Sequence, residues 1–512
     1  MDESEIPPLH SGDSVSSGAK IISEYRISHE PWYRTNLLKW ASYDLGNTIF
    51  SMVVVSLTFV PLLQIFYFMN GSTGEQAINQ ANFAFSAVLL VGNIVMAFVS
   101  PFLGAYADQM KERKGLLMQI SVLCITFMAA LVASAWYHSV LLMLAIFFFS
   151  NLFYQMGLVV YDSMLPFITD RESLGKVSGF GVALGYFGSF VGIGLGFALT
   201  PIFGDFTVQP KNLQANPPIL KDTFALGYIP YIFPLAALMF LLFALPMFSV
   251  REKEREMIPK ETDEIITEVK RNAIQTGKEI INYRSMFVFL FGWLIFVDAA
   301  NTVIGFMTPM VQVGLEFGDS GPVLIVLGIG IFAAVVLTYP VGIFVDKYGP
   351  KKGLLLIMLL WISSLTIAFF TNFQIGGTRT PQWPVYVFPI LVGPALGGGW
   401  VVQRQFITEL APPPKVANYF GFANIFGRIS AAIGPFVWSI TILLLNQQVG
   451  LNINLSTRYA IWVLAILMLI GFTIIFLGTE DVHKYYLDGA RAAGDGTWID
   501  HEGHQVYPLV SK

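Results

Sequence analysis

Gly342-Ile-Phe-Val-Asp346-Lys347-Tyr-Gly349-Pro-Lys351-Lys352 is a short polar island between two long apolar stretches. An earlier island, Gly104-Ala-Tyr-Ala-Asp108 followed by Lys111, Arg113 and Lys114, repeats its plan. Two further signatures recur in the same order around this pair. Asp44-Leu-Gly-Asn47-Thr48 returns as Asp298-Ala-Ala-Asn301-Thr302, and Phe167-Ile-Thr-Asp170 with Lys176-Val177 returns as Phe406-Ile-Thr-Glu409 with Lys415-Val416. The Gly104 and Phe167 signatures are offset from their second copies by 238 and 239 residues, so a long block has been duplicated almost in register. Two related halves facing each other are implied.

Composition identifies the solvent. With 54% hydrophobic, 14% aromatic and 12% charged residues, the chain has too few ions to coat a soluble body of 512 residues. It reads as an all-α membrane protein. A helix crossing a ~30 Å hydrocarbon layer needs about 20 mostly apolar residues. Twelve segments qualify: 42–69, 82–107, 116–136, 139–165, 177–203, 227–249, 286–313, 322–345, 353–372, 384–410, 416–446 and 458–478. The expected organisation is a disordered cytoplasmic tail (1–36), a six-helix bundle (37–249), a cytoplasmic linker (250–285), a second six-helix bundle (286–479) and a cytoplasmic tail (480–512).

Lys and Arg set the orientation, because short loops rich in them stay in the cytoplasm. With the N-terminus inside, 24 lie on the cytoplasmic side, four on the other (Lys211, Lys221, Arg379 and Arg458) and two within spans (Arg404 and Arg428). Both termini are expected inside. Residues 1–36 are polar and have no apolar core followed by a cleavage site, so no secretory signal is read there. The single cysteine, Cys124, excludes an intrachain disulfide and reads as a small apolar helix residue. In the linker, apolar residues at 265, 266, 269 and 274 against charges on the other faces predict an amphipathic helix at the membrane surface. Its expected role is a tether between halves rather than a docking site.

The repeated islands sit in tight loops between the second and third spans and between the eighth and ninth. Gly104 and Gly342 allow close helix approach. Asp108 and Asp346 are placed to pair with nearby cations, Arg113, Lys114, Lys351 and Lys352 among them, and to cap neighbouring helix N-termini. Such clusters read as a cytoplasmic gate, closed when the charges meet between the halves and weak when they separate into water.

The loop pattern Gly-x-x-x-Asp with clustered Lys and Arg resembles the signature of the major facilitator superfamily of secondary transporters. The second copy is close to that pattern; the first departs from it, with Met110-Lys111-Glu112 before Arg113. A narrower resemblance covers Trp40-Ala-Ser-Tyr43-Asp44-Leu-Gly-Asn47, Tyr161-Asp-Ser-Met-Leu165-Pro166 and Gly175-Lys-Val-Ser-Gly179 through Leu184-Gly185-Tyr186. These strings are similar to those of the vacuole-effluxer-like branch, whose eukaryotic members export amino acids from the vacuole during autophagy. The resemblance implies twelve helices in two pseudo-symmetric bundles, alternating access, and amino acids as cargo.

Polar residues inside spans are the candidate substrate and proton pathway, because ionisable groups are costly there unless they face a cavity or a partner. Asp298 and Arg428 each lie about twelve residues into their spans, a shared depth of roughly 18 Å. Three readings stay open: an ion pair released by protonation of Asp298, a zwitterion site in which Asp298 takes the amine and Arg428 the carboxylate, or a permanent structural pair. Asp44 with Asn47, and Asp298 with Asn301, lie one helical turn apart on shared faces. Tyr154, Gln155 and Gln403 complete the candidates. Asp162 and Arg404 fall near the cytoplasmic end, where Arg404 is expected to snorkel. The glycines of the fifth span read as a packing face. That span has no Pro before Pro201, which argues against drug antiporters, and Pro309 and Pro394 mark expected bends.

No catalytic constellation, phosphate-binding loop, metal-ligand spacing or nucleic-acid surface is recognised, and no cofactor is expected. The expected partners are a small-molecule substrate, the lipid bilayer and a coupling proton, and the chain is expected to act as a monomer. Two alternatives stay open: a carrier of a sugar, nucleoside or siderophore, and a non-transporting receptor or scaffold. Asn70-Gly-Ser72, Asn454-Leu-Ser456 and Tyr507-Pro-Leu-Val510 fit a vacuolar or lysosomal membrane, and a prokaryotic inner membrane fits equally.

Overall fold

A computed structural model describes residues 27–72, 74–137, 139–203, 231–253, 262–307, 310–317, 320–375, 377–493, 497–500 and 504–506. Pro309 and Tyr507–Val510 lie outside the described residues. The chain is almost wholly helical, because a backbone in hydrocarbon must satisfy its own N–H and C=O groups. The first helix, α1, runs from Tyr33–Ile49 through a π-helical stretch, Phe50–Thr58, into Phe59–Met69. The Thr58 hydroxyl donates to the Val53 carbonyl five residues back, at 2.7 Å, within the wider π turn. There follow α2 (Gly74–Asp108), α3 (Arg113–Tyr137), α4 (Val140–Ile168), α5 (Leu174–Phe203) and α6 (Ile232–Ala244).

A linker helix, Thr262–Asn282, leads to α7 (Arg284–Gly305), α8 (Ser320–Tyr348), α9 (Pro350–Phe370), α10 (Phe388–Leu410), α11 (Val416–Gln447) and α12 (Ile453–Gly478). Among the described residues ten helices are long and apolar enough to cross a membrane. Large apolar side chains point outward along them, Phe83, Phe98, Leu141 and Leu477 each more than 70% exposed. That surface suits lipid and would be a liability in water.

The seventh helix is shorter than its hydropathy suggests. It stops at Gly305, and a π-helical turn, Met310–Gly314, follows. Pro394 sits inside α10 without ending it. The linker helix packs on α2 and α11: Asn418 donates to the Asn272 carbonyl at 3.1 Å and to Thr276 Oγ1 at 2.7 Å. It is therefore attached to helices of both halves.

The halves meet chiefly where α5 packs on α8 and where α2 packs on α11. The loops carrying Asp108 and Asp346 lie at one end, called here the latch end. Asn70 and Asn454 lie at the other, one in the turn after α1 and one at the start of α12. The α5 glycines serve two neighbours. Gly175 and Gly179 face Gly342 and Thr338 of α8, while Gly181, Gly185 and Gly188 face Trp40, Asp44, Thr48 and Leu45 of α1. A Cβ on Gly188 would come within 2.7 Å of the Leu45 carbonyl oxygen, a backbone atom that cannot move aside, whereas one on Gly194 would meet nothing within 4 Å. Gly188→Val should lower the melting temperature in detergent, by overpacking of about 1–3 kcal/mol, and Gly194→Val should leave it nearly unchanged; thermal unfolding of the two variants against wild type checks this.

Candidate functional site

At the latch end each half caps a helix of the other. Asp346, at the end of α8, accepts the first amides of α5 with both carboxylate oxygens, Gly175 N at 2.6 Å and Lys176 N at 2.8 Å. Asp108, at the end of α2, does the same for α11, accepting Ala417 N at 3.1 Å and Asn418 N at 2.8 Å. A helix start exposes unpaired N–H groups with partial positive charge, so a carboxylate there is both cap and counter-charge. The approach requires glycine: a Cβ on Gly342 would collide with the Gly175 carbonyl, and one on Gly104 with that of Ala417.

The basic residues of the two islands have diverged. Arg113 pairs with Asp108 at 2.5 Å, donates to the Ser163 carbonyl at 2.8 Å and lies over the Phe167 ring. Lys351, five residues after its Asp as Arg113 is, turns to the Thr479 carbonyl at 2.6 Å, and Lys352 pairs with Asp481 at 3.1 Å. Lys114 donates to the Val250 carbonyl at 2.9 Å, and Glu252 accepts the Arg113 and Lys114 amides, capping α3.

Above the latches lies a charged cluster that the chain's hydropathy conceals. Arg404 does not snorkel. It is buried on α10 and donates from Nε to Asp162 Oδ1 of α4 at 2.7 Å, with Asp44 Oδ2 of α1 at 3.9 Å and the Tyr161 ring beneath it. One guanidinium of the second half thus holds two carboxylates of the first, six residues before the ends of α4 and α10. Nearness to a helix end hides Arg404 and Asp162 in the chain; the signal that could have found them is that an interior Arg must have a carboxylate partner in another span.

The expected Asp298–Arg428 pair is not formed. Asp298 instead accepts the Gly434 amide of α11 at 2.8 Å, beside Thr302. Arg428 turns toward the first half, where it donates to Asn93 Oδ1 of α2 at 3.3 Å and acts electrostatically on the Tyr154 hydroxyl. No carboxylate lies within ion-pair distance of Arg428 among the described residues. The reason is rotational: Arg428 and Gly434 sit six residues apart on α11, about 240° around the helix, so the face that meets Asp298 is not the face that carries Arg428.

The remaining candidates divide. Asn47 is buried with its amide toward Asp44 and its Oδ1 unpartnered. Asn301, the counterpart expected to share a face with Asp298, is exposed while Asp298 is buried. Tyr154 packs on Phe50 and feels the charges of both Asp44 and Arg428. Gln155 is buried with Oε1 unpartnered, and Gln403 is half-buried. Around Arg404, its Nη1, the Tyr161 hydroxyl and the Trp40 indole N–H also lack protein partners. Among the described residues no group of His, Cys, Asp or Glu is arranged to hold a metal ion.

Asp108→Asn and Asp346→Asn should each weaken latch-end closure by about 1 kcal/mol, and the double variant by roughly the sum, because the caps belong to separate helix pairs. Spin-label distances across the latch end, read as the fraction of open molecules, would check both values.

Comparison with known proteins fits this geometry. A transporter of the MFS type from Bacillus subtilis, YxiO, itself uncharacterised, is 25% identical over 446 residues, 86% of this chain and 94% of its own. Autophagy-related protein 22 of Yarrowia lipolytica is 26% identical over 208 residues, 39% of this chain and 32% of its own. The solved structure of FucP, a major facilitator superfamily transporter in its outward conformation, superposes with a TM-score of 0.63 at 12% identity, covering 88% of this chain and 99% of that one. The proton:xylose symporter XylE superposes with a TM-score of 0.60 at 16% identity, covering 88% and 96%. At such identities the superpositions establish the fold alone. The family described as vacuole effluxer Atg22-like matches residues 33–484, and the chain belongs to it: an all-α, multi-pass membrane protein with the major facilitator fold.

Proposed function

We propose that this chain is a secondary transporter of amino acids or similar small zwitterions, working by alternating access. Its units are two six-helix bundles, residues 37–249 and 286–479, joined by the linker at 250–285. The latch end is the cytoplasmic end, where Lys and Arg concentrate. Closure there by the paired caps leaves the opposite end as the one from which substrate enters. Opening the latch end requires both caps to break, after which the carboxylates and the freed amides are solvated by water.

The observation that carries this reading is the pair of unlike charges, Asp44 and Arg428, that both act on the Tyr154 hydroxyl. Arg428 has no carboxylate partner among the described residues and can receive a substrate carboxylate, while Asp44 shares its guanidinium with a closer competitor, Asp162, and can receive an ammonium. Two opposite charges acting on one hydroxyl suit a zwitterion better than a sugar, whose hydroxyls would leave Arg428 without a counter-ion. The name of the fungal relative, an autophagy-related protein, and that of the family, an effluxer, agree with export of small solutes from a vacuole.

The Asp44–Arg404–Asp162 cluster supplies a route for coupling. Two carboxylates and one guanidinium carry one net negative charge in a buried setting, and one proton neutralises it. A proton on Asp162 would also weaken the bond that holds α4 to α10 across the halves. Asp44→Asn should abolish accumulation driven by a proton gradient in proteoliposomes supplied with a labelled amino-acid mixture, while exchange without a gradient persists. Arg428→Gln should raise KM at least roughly tenfold, the scale of a lost charge-assisted hydrogen bond. Transport of no amino acid by the wild type would overturn the substrate assignment.

A further inference from the structure

Beyond the twelve helices, the described residues among 479–506 (479–493, 497–500 and 504–506) fold back under the latch end as a short helix, His483–Leu487, and a three-stranded antiparallel sheet of two-residue strands: β1 (Arg491–Ala492), β2 (Trp498–Ile499) and β3 (Gln505–Val506). This segment is built onto the second half. Lys351 and Lys352 of α9 hold Thr479 and Asp481, Ser285 Oγ of α7 accepts the Glu480 amide at 2.8 Å, and the fully buried Trp498 donates its indole N–H to Tyr283 at 3.3 Å. His483 is wedged between helix ends, Nδ1 at 2.8 Å from Glu409 Oε1 of α10 and Nε2 at 3.0 Å from the Asp346 carbonyl of α8, its Cβ seated against Gly349, whose φ is +90°.

Among the described residues, Arg171 of the first half reaches this segment. Arg171, in the turn between α4 and α5, donates from Nη1 to the Tyr486 carbonyl at 2.9 Å and to the Ala490 carbonyl at 3.0 Å, and its guanidinium lies 4.6 Å over the Tyr486 ring. The Tyr486 carbonyl belongs to the last turn of the short helix, where C=O groups attract a cation, and that of Ala490 to the turn that follows it. Arg171 stands just before α5, the helix whose first amides Asp346 caps, so separating α5 from α8 pulls Arg171 away from a segment that stays with α8, α9 and α10.

We infer that residues 479–506 are a strap that holds the latch end shut, with Arg171 as its releasable fastener. Its placement under a cytoplasmic gate rests on the transport reading; the strap itself does not depend on what is carried. Because Arg171 moves with α5 and its acceptors with α8, α9 and α10, the contact has to break for this end to open. Anything that withdraws the strap shifts the protein toward opening at that end.

The His483 wedge gives the strap a pH response. Glu409 as a carboxylate and the Asp346 carbonyl are both acceptors, so the ring satisfies both only when each nitrogen carries a proton. Burial opposes that charge, but the hydrogen bond and charge of Glu409, then the Asp346 carbonyl and Asp481, outweigh it and raise the His483 pKa above its ordinary value. The groups around the ring are Glu409 with Gln405 on α10, Asp346 on α8 with its carboxylate turned to the α5 amides, and Asp481 of the strap. A raised pKa means that the stabilisation is complete below about pH 6.5 and is lost as pH rises through the bound value. Alkalinisation therefore loosens the strap.

The test uses the full chain in proteoliposomes and a thiol introduced by Ser178→Cys, at a buried position on α5 next to Gly179, which faces α8. Adding Arg171→Ala should speed maleimide labelling of that thiol roughly tenfold, as expected when a fastening hydrogen-bonded contact is lost from a two-state equilibrium. Cys124, buried in α3, should stay unlabelled, which separates opening from unfolding. With each rate divided by that of the denatured chain at the same pH, which cancels the ionisation of the thiol itself, labelling should rise between pH 6 and pH 9 when His483 is present and stay flat in His483→Gln. Unchanged labelling in Arg171→Ala, or a pH dependence of the normalised rate surviving in His483→Gln, would overturn the strap without bearing on whether amino acids are carried, which the uptake assay decides separately.

Discussion

The closed arrangement depends on two helix starts, those of α5 and α11, whose first amides have no partner in their own half. A carboxylate from the opposite half fills each vacancy, Asp346 for α5 and Asp108 for α11. Buried N–H groups left unsatisfied are costly, so the halves cannot separate at this end unless water replaces the carboxylates. The glycines at 104, 175 and 342 follow from the same requirement, since a side chain at any of them would hold the backbones too far apart for the caps to reach.

The same end carries two further ties of different chemistry. Arg404 binds Asp162 and Asp44 within the helix layer, an ion cluster out of direct contact with the caps. Arg171 binds the backbone of the C-terminal segment at the surface, a tie sensitive to whatever holds that segment in place. Stacked in depth, they are the two points at which the proposed transport cycle would have to release this end.

Internal duplication was legible because the repeated residues are polar in an apolar context, and selection for helix caps leaves few ways to write them. Gly104, Asp108, Gly342 and Asp346 could be named from the chain, and the structure places each carboxylate on a helix start of the other half, while Lys351 and Lys352 turn away from Asp346. The charged interior was harder. Asp44 and Asp298 occupy matching places in their signatures, yet Asp44 turns to an Arg across the halves and Asp298 to a backbone amide within its own. Equivalent positions in a duplicated sequence share a depth and a face on their own helix, but their partners come from other helices that have diverged.

The amino-acid sequence by itself determined that the chain is helical and membrane-embedded and that it carries the same three signatures twice, because burial in lipid and helix capping are local demands written in hydropathy and in residue type. Only the tertiary structure decided which charges meet. Whether Arg428 faces Asp298 or Asn93, and whether Arg404 reaches the interface or two carboxylates, depends on the rotation of each helix about its axis and on the neighbour it packs against. A rotation of one residue, about 100°, changes every partner while leaving hydropathy and spacing untouched.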